Sequence, residues 1–135
     1  MIIQWDSDKV AKYLSRIDGA IVQGRYSLAL KLANRMLKHY YRSFINQKIS
    51  AEQEADNIRL MAIVISRYLM RHYRKYQIPY SERRLMAMNL ISSVIVIYMV
   101  NTPETTEDIQ VIDKATATYV RENVGSVVSY LGKYL

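Results

Sequence analysis

From Leu85 to Val100 the chain runs 16 residues without a charge, and this run constrains the fold more than any other feature. A membrane-spanning helix needs about 20 predominantly apolar residues. The run is shorter than that and includes Asn89, Ser92 and Ser93. It therefore predicts a central helix buried on most sides and no membrane span. Four glycines, two prolines and a half-apolar composition argue against disorder and for long regular elements. At 135 residues the chain fits a single helical domain over residues 1–135, large enough to bury a core.

Caps and periods supply the other helices. Asp6, Ser7 and Asp8 precede Val10, Tyr13, Leu14, Ile17 and Ile21, which predicts a helix over about residues 7–22 ended by Gly24. A second begins near Arg25 to Ser27 and runs to about Lys48, with Leu28, Leu32, Met36, Tyr40 and Phe44 recurring at helical steps. Ser50 and Gln53 form a capping box, and Glu52, Glu54 and Asp56 suit the positive end of a helix dipole. The third helix is thus expected from there to about Tyr76, where Gln77-Ile78-Pro79 stops it. Ser81 caps the uncharged fourth helix. Thr102 and Pro103 open a last helix through Ile109, Ile112, Tyr119 and Val120 to Leu131, with a break or kink expected at Gly125. Short connections make neighbours antiparallel, so the fold class is all-α: a compact up-and-down bundle of five helices.

Charge is unevenly spread. The net +7 resides in two segments of +6 each, residues 25–48 and 59–84, while residues 85–135 carry −2. Such asymmetry favours RNA or another polyanion as partner. Within the second segment, residues 67–76 read RYLMRHYRKY. Along this third helix Ile58, Met61, Ala62, Ile65, Leu69, His72 and Tyr76 form an apolar stripe, while Arg67, Arg71 and Arg74, with Lys75, occupy another side. The second helix repeats the design with Arg35, Lys38, His39 and Arg42, and with Tyr40 and Tyr41 nearby. If the two helices are antiparallel neighbours, their basic rows merge into one groove lined with tyrosine. Guanidinium groups then meet phosphates and exposed rings meet unstacked bases. The plainer reading is a solvated basic face over tyrosines that belong to the core.

Arg67 and His72 are separated by four residues, and here the chain resembles the HEPN family of small all-α domains from toxin, abortive-infection and defence proteins. The segment Gly24-Arg-Tyr26-Ser-Leu-Ala29-Leu-Lys-Leu-Ala33 resembles the Gly-x-Tyr helical hairpin of its abortive-infection branch, a local grammar shared with tetratricopeptide repeats. The resemblance implies a homodimer and a metal-independent endoribonuclease in which His72 moves the 2′-hydroxyl proton and Arg67 steadies the phosphate. On a regular helix, however, five steps set the two about 140° apart. His72 then lies on the apolar stripe, and the pair can meet only through an irregularity or across a dimer interface. The other reading of His72 is a half-buried structural residue, and the other reading of the chain is a non-catalytic adaptor for an acidic partner protein.

No Gly-rich phosphate loop, His-Glu-x-x-His or spaced acid–histidine cluster occurs, so neither metal nor cofactor is expected. The absence of cysteine and the acidic start MIIQWDSDK predict a cytoplasmic protein without an export signal. The surplus of apolar residues in the fourth and fifth helices again predicts a homodimer.

Overall fold

The structure is a computed structural model and describes residues 5–49, 55, 57–79, 82–101 (101 by backbone alone) and 112–135. The described residues form five helices: α1 Ser7–Val22, α2 Tyr26–Lys48, α3 Ile58–Tyr76, α4 Glu82–Asn101 and α5 Lys114–Gly132. The all-α bundle expected from the sequence is what the described residues form.

Each start has a local cause. Asp6 accepts from the Lys9 amide at 2.8 Å ahead of α1, and Gly24, at φ +73°, turns the chain into α2. That conformation suits a residue without Cβ. Asn57 accepts from the Leu60 amide at 3.1 Å, so α3 begins later than expected. Ala55 and Asn57 are outside the helix, and the Ser50–Gln53 box lies outside the described residues. At its other end Gln77 adopts the left-handed conformation at φ 53°, and the Ile78 amide donates to Tyr73 O at 2.9 Å. This closure ends the helix before Pro79 is reached. Asp113 accepts from the Thr116 amide at 2.8 Å and opens α5, so Ile112, expected inside the last helix, is a buried residue ahead of it. Ser81, Thr102, Pro103 and Ile109 lie outside the described residues. Gly125 does not break α5, whose hydrogen-bonded turns run through it.

Side-chain contacts give the directions. Trp5 and Tyr40 rings lie 5.6 Å apart, which with the tight Gly24 turn makes α1 and α2 antiparallel. The Asp18–Arg121 ion pair at 2.8 Å runs α5 against α1. Asn89 donates to Ser66 at 2.7 Å while Met70, one turn later in α3, lines a pocket with Glu82 and Leu85, so α4 runs against α3.

The helix that touches all four others is α2, not α4, which holds the uncharged run Leu85–Val100. The alanines Ala29 and Ala33 lie on its buried side with Leu30, Met36, Leu37, Tyr40, Tyr41, Phe44 and Ile45, and such small side chains let neighbouring helices approach closely. Leu28 and Leu32 are only partly buried. The expectation of an α4 buried on most sides is overturned. Leu85, Met88, Ile91, Ser92 and Ile95 face inward, while Met86, Leu90, Ile97 and Val100 are exposed. Being apolar all round, α4 gave no period from which to tell a covered face from an open one. By length and composition it could cross a membrane. Its inward polar groups are satisfied within the bundle: Ser92 bonds Tyr41 at 2.8 Å and Met88 O at 2.7 Å.

Candidate nucleic-acid-binding face

The half of α3 nearest its C-terminus carries the site. Tyr68, His72 and Tyr76 succeed one another at four-residue steps, so their rings stack up one edge of the helix. Centroids lie 6.2 Å apart between Tyr68 and His72 and 4.8 Å apart between His72 and Tyr76. Tyr68 and His72 are half-buried and Tyr76 is 57% exposed. The apolar stripe of α3 therefore closes on the buried Tyr73 rather than on Tyr76. Phe44 meets Tyr68 edge-on at 6.0 Å, which places this edge beside α2.

Tertiary contacts hold the ladder from behind. His72 also lies against Tyr73 and Tyr134, at 6.1 and 5.9 Å. The Tyr73 hydroxyl is hydrogen-bonded to those of Tyr130 and Tyr134, the latter at 2.6 Å. Burial first, then these hydroxyl partners, pushes the Tyr73 phenol above its ordinary range. The Arg84 guanidinium lies 5.3 Å from the Tyr130 ring. The ends of α3 and α5 and the start of α4 are thus joined by an aromatic cluster.

Around the ladder the cations are open. Arg67, Arg71 and Arg74 are exposed and make no hydrogen bond or ion pair with any described residue. Lys75 is exposed, its Nζ 5.3 Å from the Tyr76 ring. Arg71 and Lys75 follow Tyr68 by three and seven residues and so share its edge, whereas Arg67 and Arg74 lie further round the helix. On α2, Arg35, Lys38 and His39 are exposed. Arg42 is half-buried and donates through Nη2 to Ala55 O at 2.7 Å, bracing the connection into α3. Lys38 and Arg35 precede Arg42 by four and seven residues, so this row looks onto the seam between α2 and α3. His39, four residues after Arg35 and three before Arg42, shares that face.

Two expectations change in detail. Tyr40 and Tyr41 do not line the groove, because both are core residues whose hydroxyls bond Val128 O and Ser92. Burial raises the Tyr40 phenol to about 12 and pushes Tyr41 further up still, against a smaller lowering from its bond to Ser92. Arg67 and His72 are not brought together within one chain. The α3 helix is uninterrupted between them, so they remain about 140° apart, one in solvent and one among rings. The ladder was visible as four-residue spacing in RYLMRHYRKY. Its supports Tyr130, Tyr134 and Arg84 come from distant parts of the chain and had no local signal.

No family model, curated protein or solved structure matches the chain. Among the described residues no cluster of His, Cys, Asp and Glu suits a metal ion.

Proposed function

We propose that the protein binds single-stranded RNA along the seam of α2 and α3. The observation that carries this reading is the ladder of Tyr68, His72 and Tyr76, bordered by arginines that the described residues leave unpaired. Half-exposed rings accept unstacked bases, each stacked base contributing about 1–3 kcal/mol, and neighbouring cations hold the phosphates. Tyr76 and the exposed arginines stand outside the packing that holds α3 to the bundle, whose stripe ends on Tyr73, while Tyr68 and His72 are half-buried and keep one side open.

The resemblance to HEPN domains adds cleavage to binding. On an unbroken α3, such a reaction requires Arg67 of one chain to reach His72 of a second, because a single chain holds them on different sides. Binding through the ladder is the function supported best, and cleavage is an addition that a dimer must supply. An acidic protein docked on the same face would depend on the arginines and not on the rings.

Fluorescence anisotropy with a labelled single-stranded RNA separates these. Binding is expected to weaken with salt at a slope of about −0.7 per phosphate contacted, and to weaken again in Tyr76→Ala at fixed salt. Absence of any anisotropy change at low salt would overturn the proposal. Loss in the arginine variants with no effect of Tyr68→Ala or Tyr76→Ala would assign the face to an acidic partner instead.

A further inference from the structure

The pocket between α3 and α4 holds about 300 Å³, room for one ring and a short chain. Ser66 and Met70 line it from α3, and Glu82, Leu85, Met86 and Asn89 line it from α4. Ser66 and Met70 each precede a ladder ring by two residues, about 200° round the helix, so the pocket opens on the side of α3 away from the ladder. Along α4 the lining residues follow one another by helical turns. A carboxylate thus stands at one end, an amide at the other, and apolar side chains lie between them. Leu85 and Ser66 are buried, Met70 and Asn89 half-buried, and Glu82 and Met86 exposed at the rim.

The polar groups decide what chemistry fits. Asn89 spends both amide hydrogens inside the protein, one on Leu85 O at 2.8 Å and one on Ser66 Oγ at 2.7 Å. A carbonyl can only accept, so the bond to Leu85 O fixes which way the amide is turned. Asn89 Oδ1 is left as an acceptor that no described residue uses. Glu82 makes no hydrogen bond or ion pair with any described residue, although Arg83 and Arg84 follow it and Arg74 lies one turn beyond Met70. The first turn of a helix favours an ionised acid, which suits Glu82 to α4 and also keeps it an acceptor. Both ends of the pocket therefore ask for a donor, and the outer end asks for a cation. The thioethers of Met70 and Met86 are soft walls that favour an aromatic ring between them.

We propose that this pocket binds a small arylalkylamine whose ring carries a hydroxyl. The ammonium pairs with Glu82, the ring lies over Leu85 between Met70 and Met86, and the ring hydroxyl donates to Asn89 Oδ1. Glu82 and Asn89 are seven residues, about 10 Å, apart along the helix axis. A hydroxyphenyl-ethylamine spans that length with a hydrogen bond at each end. The pocket shares no residue with the ladder, and the proposal stands independently of RNA binding.

The test is a titration of the full chain, labelled with ¹³C at its methionine methyl groups, with tyramine. The seven methionines report where it binds. Saturable shifts are expected at Met70 and Met86, with the core residues Met36 and Met61 unmoved. Two analogues probe the two ends without altering a residue bonded within the bundle. Tyrosol, which replaces the ammonium by a hydroxyl, and 2-phenylethylamine, which lacks the ring hydroxyl, are each expected to bind about fivefold more weakly. Glu82→Gln, at an exposed position, is expected to lower tyramine to the affinity of tyrosol. The proposal is overturned if millimolar tyramine gives no saturable shift at Met70 and Met86, or if tyrosol or 2-phenylethylamine binds as tightly as tyramine. Undiminished tyramine binding in Glu82→Gln would overturn it equally.

Discussion

The His72 imidazole lies 4.8 Å from the Tyr76 ring one turn further along α3, and its other ring neighbours are Tyr68, Tyr73 and Tyr134. This packing accounts for His72 more directly than proton transfer does. Removing the ring opens a gap between α3 and the end of α5, whereas another flat ring fills it. His72→Ala is therefore expected to cost about 1–2 kcal/mol in urea denaturation and His72→Phe well under 1 kcal/mol. If RNA binding has cleavage attached, the chelator-resistant activity should vanish in both variants. Retention of RNA binding in His72→Phe alongside loss in His72→Ala would mark the residue as part of the platform.

At the end of α3, Gln77 holds a left-handed conformation, φ 53°, that a side chain disfavours. Gln77→Gly is expected to raise the urea midpoint, by roughly 0.5–1 kcal/mol in stability. The converse holds at Gly24, φ +73°, where the space for a Cβ is open and only the backbone objects. Gly24→Ala should cost about 1 kcal/mol. Equal stability of the wild type and both variants would contradict the assigned turns.

Most of the fold was legible because caps and periods act locally. Asp6, Gly24 and the Gln77-Ile78-Pro79 stop mark boundaries that the structure keeps. The start of α3 was misread because the Ser50–Gln53 box is a good local cap, yet Asn57 provides another immediately before Ile58. The place of α4 was misread for a different reason. A run that is apolar on every side carries no moment, and hydropathy alone does not tell which side the neighbours cover. At the site, the ladder spacing could be read from RYLMRHYRKY, but Tyr73 rather than Tyr76 takes the core position, where its hydroxyl is hydrogen-bonded to those of Tyr130 in α5 and Tyr134 just beyond it. Periodicity within one helix cannot report that.

Tyr41 is fully buried with its hydroxyl 2.8 Å from Ser92. Ser92 also donates to Met88 O, so Tyr41→Phe leaves it a partner and is expected to cost only about 1 kcal/mol at neutral pH. The pH dependence is signed. Burial raises the phenol in the folded chain, above an unfolded value of about 10. The stability it contributes is fully present below pH of about 10 and is lost as pH rises beyond, by up to about 1.4 kcal/mol per pH unit. Tyr40, raised to about 12, adds a loss of the same sign between those values. Urea midpoints measured from pH 9 to 12 should therefore fall more steeply in the wild type than in Tyr41→Phe, closing the gap between them. Parallel curves would contradict the buried, protonated phenol.

The central claim is that rings and cations on the α2–α3 seam act together on single-stranded RNA. Its most direct test is the affinity of Tyr68→Ala combined with Tyr76→Ala, measured by anisotropy at one fixed salt concentration. The two substitutions leave every positive charge in place. Loss of two stacked bases predicts a fall of roughly 30-fold or more, with an unchanged salt slope. Wild-type affinity in this variant, with binding lost only when Arg71 and Lys75 are replaced, would contradict the account.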